Sequence, residues 1–146
     1  MKFKSLDHAV NVLAYKKDNI NYAMTCAWCM NVDYDKLICL MGAQSVSGNN
    51  LKKGDILGFS ALAKNQLEIA LALGDNHSNS VDKLNNIDYY LNDNAILINN
   101  ALLQYRCIVK EIIHLEGIED DNLVYLQIIE GNENEGDYLH MSDVYA

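Results

Sequence analysis

The sequence predicts a mainly β protein, a small β-barrel with a few short helices at its ends. Three observations predict it. Short apolar runs recur along the chain, each bounded by clusters of Asn, Asp, Gly or Ser. Proline is absent, so turns fall to residues that tolerate left-handed or side-chain-bonded geometry. Only Asn65 to Leu73 shows clear helical spacing over more than one turn.

In chain order, Val10 to Tyr15 reads as a strand, followed by a polar Lys-Lys-Asp-Asn connection. Ala23 to Val32 reads as one continuous strand, and Leu37 to Met41 as another. A short turn or helix ends near Gly54, and Asp55 to Ala61 returns as a strand. In the Asn65 to Leu73 helix, Ile69, Ala70 and Leu73 share a face with Leu62, and Gly74 suits a left-handed position just past the end. A loop, DNHSNS, follows. Val81 to Leu84 reads as a short helix and Ala95 to Ile98 as a strand. Two long β segments, Tyr105 to Leu115 and Leu123 to Ile129, are joined by the acidic hairpin loop EGIEDDN. Asn-rich turns are dispersed between the apolar runs, with no linker tract and no internal repeat.

A chain of 146 residues is the usual size of one domain and can bury a real core, so residues 1–146 are read as a single domain. Half the residues are hydrophobic, but no run reaches the roughly 18 to 20 apolar residues of a membrane span. Asp7, His8 and Asn11 interrupt the N-terminal apolar stretch, so no export signal is expected. A net charge of -9 with only 11 Lys and Arg argues against nucleic acid and anionic membranes as partners. Four cysteines without an export signal read as reduced thiols in a cytoplasmic protein.

Cys26-Ala27-Trp28-Cys29 invites a thiol reading, as a redox pair or half of a metal site. If Ala23 to Val32 is one strand, the two Cα atoms lie about 10 Å apart, beyond the roughly 7 Å that a disulfide allows. Their odd spacing then sends the side chains to opposite faces, Thr25, Ala27 and Cys29 on one and Cys26, Trp28 and Met30 on the other. Cys39 and Cys107 sit in apolar runs without a second paired spacing, which disfavours structural zinc. His8, His77, His114 and His140 form no metal-binding spacing. The acidic segment Gly131 to Asp137 does not fit a calcium loop, because a register on Gly136 puts Gly131 at the first ligand position. No nucleophile elbow, Walker loop or dinucleotide glycine pattern occurs. Gln44-Ser45-Val46-Ser47-Gly48-Asn49-Asn50, after a strand, reads either as an anion-binding nest or as a polar loop with a serine cap.

Taken in order, several segments resemble the flavin reductase-like family, the FMN-binding split β-barrels of flavoredoxin type. They are Asn21 to Cys29, the strand running into Ser45-Val46-Ser47, the Asn65 to Gly74 helix, Val81-Asp82-Lys83, Arg106 to Val109, and Tyr138-Leu139-His140. The likeness covers nearly the whole chain and rests on the order of short, degenerate motifs. It implies FMN as cofactor, with Thr25, Cys26, Ala27, Trp28 and Cys29 bordering the isoalloxazine and ribityl chain. It places Gln44, Ser45, Val46 and Ser47 at the phosphate loop, with Gln44 where relatives often carry a basic residue. Lys83 matches a lysine near the cofactor, where a cation neutralises phosphate or charge on reduced flavin. The prolines usual after the second strand are replaced by Asp33-Tyr34-Asp35-Lys36. Without the family pattern, Trp28 reads as a core aromatic, Cys29 as a small buried hydrophobe and Lys83 as a surface charge.

The implied activity is an NAD(P)H-dependent flavin or flavoprotein reductase passing hydride through FMN, with no side-chain nucleophile. The implied assembly is a homodimer with FMN at the interface, serving an electron-acceptor protein. An FMN carrier or electron-transfer module without nicotinamide turnover is the alternative, and a thiol or zinc protein is a third.

Overall fold

A computed structural model describes residues 2–42, 50–74 and 84–145. Nine strands and two short helices make up the described architecture: β1 (Asn11–Lys17), β2 (Ile20–Cys26), β3 (Cys29–Asp33), β4 (Lys36–Met41), β5 (Ile56–Ala61), α1 (Leu67–Gly74), β6 (Tyr89–Asn92), β7 (Ala95–Ile98), β8 (Leu103–Ile113), β9 (Asn122–Glu133) and α2 (Met141–Val144). The hydrogen-bonded path runs β3-β4-β9-β8-β5-β1-β7-β6, with β2 paired to β1. The path does not return on itself, so the barrel is split rather than closed.

Local chemistry sets the hairpins. Asp18 and Asn19 take φ of 53° and 64°, the left-handed pair that a two-residue turn between right-twisted strands requires. Asp93 at φ 59° begins the corresponding turn from β6 to β7. The sequence reading missed β6, although Asp93-Asn94 ahead of Ala95 to Ile98 was the available signal. Between β3 and β4, Asp33 pairs with Lys36 across a two-residue connection. There Asp35 receives bonds from Lys36 Nζ and Gln127 Nε2, both at 2.9 Å, so charge and sheet contacts shape the loop that lacks proline.

β1 is buried on both faces, which is why its apolar run is nearly continuous. Leu13 and Tyr15 face the barrel core with Leu57, Phe59, Val109, Val124 and Leu126. Val10, Val12 and Ala14 face a second cluster formed with Leu62, Ala70, Leu73, Leu84, Ile96 and Leu139. β5 and β7 follow one another along the same edge of β1. Gly58 permits their contact, because a Cβ there would collide with the Ile96 carbonyl. The C-terminal segment seals the second cluster through backbone bonds from Val10 to Leu139 O and from Met141 to His8 O. Asp7 accepts from the Ser142 amide and hydroxyl, and these bonds hold its carboxyl below the usual range.

The structure departs from the sequence reading at two further places, and a third expectation lies outside the described residues. The single strand expected over Ala23 to Val32 is two strands, broken at Ala27-Trp28. Gly74 is the last residue of α1 and is not left-handed; its place beside Thr25 is set by packing of the helix end on β2. The segment expected as a helix over Val81 to Leu84 lies outside the described residues up to Leu84, where a turn begins. No helix among the described residues is long and apolar enough to cross a membrane.

Candidate functional site

The break between β2 and β3 is held by contacts from three sides. The Asn11 side chain, almost fully buried, donates from Nδ2 to the Cys26 carbonyl at 3.2 Å and to Ala9 O at 3.3 Å. The Leu40 amide donates to Trp28 O at 2.8 Å, and the Cys29 amide turns back to Ala27 O at 3.0 Å. Thr25 Oγ1 donates to Ala70 O in α1 at 3.0 Å. The chain therefore leaves β1 after Cys26, crosses to β4 at Trp28 and resumes as the edge strand β3. Cys26 also stands opposite Asn11 in the last rung of the β1–β2 ladder, so the side-chain amide is a further donor to that carbonyl, a bond worth about 0.5 to 1.5 kcal/mol.

This break overturns the expected thiol geometry. Cys26 and Cys29 do not project to opposite faces: their Sγ atoms lie 3.4 Å apart. Both pack against the barrel core, Cys26 buried and Cys29 partly so, and Cys29 stands opposite Cys39 in the β3–β4 register. The strand-spacing argument fails because it presumes an unbroken strand. Cys26 Sγ also donates to Leu40 O at 3.3 Å. Its thiol is held well above the ordinary value by the hydrogen bond with Cys29 and by burial. For Cys29 the bond to Cys26 pulls downward, but the Cys39 thiol and burial outweigh it and the value rises. Burial alone pushes Cys107 up to about 12. All four cysteines are free, and no metal-holding group of His, Cys, Asp or Glu occurs among the described residues.

The turn brings together Thr25, Cys26, Ala27, Trp28 and Cys29. Trp28 is 55% exposed, so it is not the core aromatic that composition alone allowed. Gln44, Ser45, Val46, Ser47 and Lys83 lie outside the described residues. Their flanking elements nonetheless converge on the turn: β4 bonds Trp28 through Leu40, and the end of α1 lies beside Thr25. On the barrel side of Cys29 a cleft of about 190 Å³ is lined by Asn11, Met30, Phe59, Tyr105 and Tyr138 among others. Phe59 and Tyr105 stack at 6.1 Å between centroids. The sequence reading did not single out Asn11, Phe59 or Tyr105, since a buried Asn in an apolar strand was the only signal and its partners are remote in sequence.

The profile of the flavin reductase like domain matches residues 3–146. The chain belongs to the flavin reductase-like family. Solved structures agree on the fold. The NADH:FAD oxidoreductase of Streptomyces globisporus, in complex with NAD and FAD fragments, superposes with a TM-score of 0.83 at 18% identity, covering 95% of this chain and 83% of that one. BorF, the flavin reductase component of a bacterial two-component tryptophan halogenase, gives 0.81 at 16% identity, covering 96% and 89%. The FMN-binding protein of Thermus thermophilus gives 0.79 at 16% identity, covering 90% and 74%. A search of the curated proteins returns no match. In this family member the described residues suit a flavin in kind: the Thr25–Cys29 turn presents an exposed indole, a hydroxyl and a run of backbone rather than a charged or metal-binding donor set.

Proposed function

We propose that this protein is an NAD(P)H-dependent flavin or flavoprotein reductase that holds FMN along the Thr25–Cys29 turn. The observation that carries the reading is the broken strand with its backbone fixed from β1 and β4 while Trp28 stays outside. The redox chemistry would come from FMN when bound, a hydride acceptor for reduced nicotinamide and an electron donor to the next partner. The protein's part is to bind and orient. Thr25 Oγ1 spends its proton on Ala70 O, so toward a ligand the hydroxyl acts as an acceptor, suited to an N–H or a ribityl hydroxyl. The Trp28 indole offers an aromatic face for a planar ring. The Cys26 side chain is turned inward to Leu40 O, so only its backbone borders the site. Ser45, Val46 and Ser47 serve the phosphate, Gln44 contributes a neutral amide where a cation would bind more tightly, and Lys83 supplies positive charge.

The working unit of this reading is a single-domain, cytoplasmic homodimer with FMN at the interface. Supporting it, the edge strand β3 exposes Met30 and Val32 next to Trp28, an apolar row that a second copy would cover. The likeness to the Thermus thermophilus FMN-binding protein favours a second reading, an FMN carrier without nicotinamide turnover. Anaerobic addition of NADH or NADPH to protein reconstituted with FMN separates the two. Bleaching of the flavin spectrum is expected of a reductase, whereas an oxidised spectrum that persists with FMN bound identifies a carrier. Failure to take up FMN at all would overturn both.

A further inference from the structure

We propose that Cys26 and Cys29 are a reversible dithiol–disulfide couple, oxidised by hydroperoxides and built into the turn that carries Trp28. The inference rests on the geometry of the thiols and does not require that the turn bind flavin. Three observations support it. The Sγ atoms already lie 3.4 Å apart, so closing to the disulfide length of about 2.05 Å needs only a small approach. The two residues are the terminal rungs of two different ladders, Cys26 opposite Asn11 at the end of β2 and Cys29 opposite Cys39 at the start of β3, with the break at Ala27-Trp28 between them. The only regular backbone bond between them is the tight Cys29-to-Ala27 turn, so the approach need not shear paired strands. Cys29 is only partly buried and lines the open cleft, which gives a small oxidant a way in.

The chemistry balances with a hydroperoxide as the named oxidant. The Cys29 sulfur attacks the terminal peroxide oxygen, the O–O bond breaks, and the departing alkoxide takes a proton to leave as an alcohol. Cys29 is then a sulfenic acid. The Cys26 sulfur attacks the Cys29 sulfur, the S–O bond breaks and water leaves. Two thiols and one hydroperoxide thus give one disulfide, one alcohol and one water, the two electrons passing from sulfur to oxygen. Oxidation also removes the thiol proton that Cys26 donates to Leu40 O, so it alters a contact between β4 and the turn.

Cys39 and Cys107 complete the set of cysteines and supply the internal control. Cys39 lies opposite Cys29 across the hairpin, and a Cys29–Cys39 bond is the competing product. Trypsin separates the possibilities, because cleavage at Lys17, Lys36, Lys52, Arg106 and Lys110 leaves Cys26 and Cys29 in one fragment, Cys39 in a second and Cys107 in a third.

The test is differential alkylation of the whole protein, treated with dilute hydrogen peroxide, denatured, blocked with one thiol reagent, reduced and labelled with another. Two of the four cysteines should escape the first reagent, both in the 18–36 fragment, which loses two hydrogens before reduction. Emission from Trp28, the single tryptophan, should fall on oxidation and recover with dithiothreitol, since a neighbouring disulfide quenches indole. A protein carrying Cys39→Ala and Cys107→Ala should behave as wild type, and Cys29→Ser should lose the reversible quench. A fragment 18–36 linked to 37–52, or four thiols still open to the first reagent, would overturn the proposal. Both readings come from the wild-type chain and so do not depend on how any variant folds.

Discussion

β2 is fastened in opposite ways at its two ends, and the contrast separates what stabilises this barrel from what serves its site. At the turn, Asp18 and Asn19 adopt the left-handed conformations their side chains tolerate, and Tyr15 stacks on Tyr22 at 5.0 Å. Lys17 Nζ reaches Asp55 at 2.7 Å and Asn50 O at 2.9 Å, tying the hairpin to the segment before β5. At the other end no turn-forming residue is present. Ala27 and Trp28 leave the sheet because Asn11, Leu40 and Ala70 each take one group of the passing chain. Local chemistry closes one end. Tertiary hydrogen bonds hold the other open, with an aromatic side chain outside and two thiols inside.

The largest expected difference between the ends appears in alkali. Below pH 9 the thiols are protonated in both folded and unfolded chains. Above it the unfolded chain releases its thiol protons first, because the folded environment raises Cys26, Cys29, Cys39 and Cys107. Stability that is full below 9 should therefore drain as pH climbs, by up to about 1.4 kcal/mol per pH unit for each thiol still protonated in the fold. For Cys107 the loss extends to about 12. Urea midpoints measured from pH 8 to 10.5 check this, and Cys107→Ala should flatten the slope by one group's share. An unchanged slope would remove burial of that thiol as its cause.

Next in size is Asn11→Leu, which keeps the branching and the number of side-chain heavy atoms and deletes both amide bonds. The Cys26 carbonyl keeps its rung in the β1–β2 ladder but loses the side-chain donor, and for two bonds at about 0.5 to 1.5 kcal/mol each a stability loss of about 1 to 3 kcal/mol is expected by denaturant titration. The emission of Trp28 should also change, because the turn loses that donor from β1. Smaller again, Trp28→Ala should leave stability nearly unchanged, since the indole is half exposed, and weaken FMN binding by about tenfold, the value of one aromatic contact. Titration of the apoprotein with FMN reads this directly, and unchanged affinity would place the ring elsewhere.

How much of this was legible in the sequence follows the same division. The turn at Asp18-Asn19, β7, the long β8–β9 hairpin and the buried face of α1 were all readable, because alternation, helical spacing and turn residues are local signals. The Cys26–Cys29 break was not. Its sequence, Met24 to Val32, is continuous and apolar enough for a strand, and the groups that interrupt it come from β1, β4 and α1. Strand periodicity therefore puts the two thiols on opposite faces of a sheet, whereas their sulfurs lie 3.4 Å apart. The family's ordered segments still pointed to the fold and the family, since order along the chain survives a break that periodicity cannot see.

The smallest expected effect belongs to the closed end. Lys17→Met removes an ion pair whose members are 29% and 26% exposed, and the methionine retains most of the packing stem. Asp55 keeps the Lys52 amide at 2.8 Å, so its carboxylate is not stranded. A loss of about 0.5 to 1 kcal/mol is expected, reduced further by salt. Lys17 and Asn11 are six positions apart on β1, about 20 Å at strand rise, and the residues share no partner. Their substitutions should therefore add within about 0.5 kcal/mol. Trp28 emission and FMN affinity should not respond to Lys17→Met. A shift in either, or a coupling well beyond that margin, would show that the clamp at the turn reaches along β1 to the site, and the two ends would have to be treated as one device.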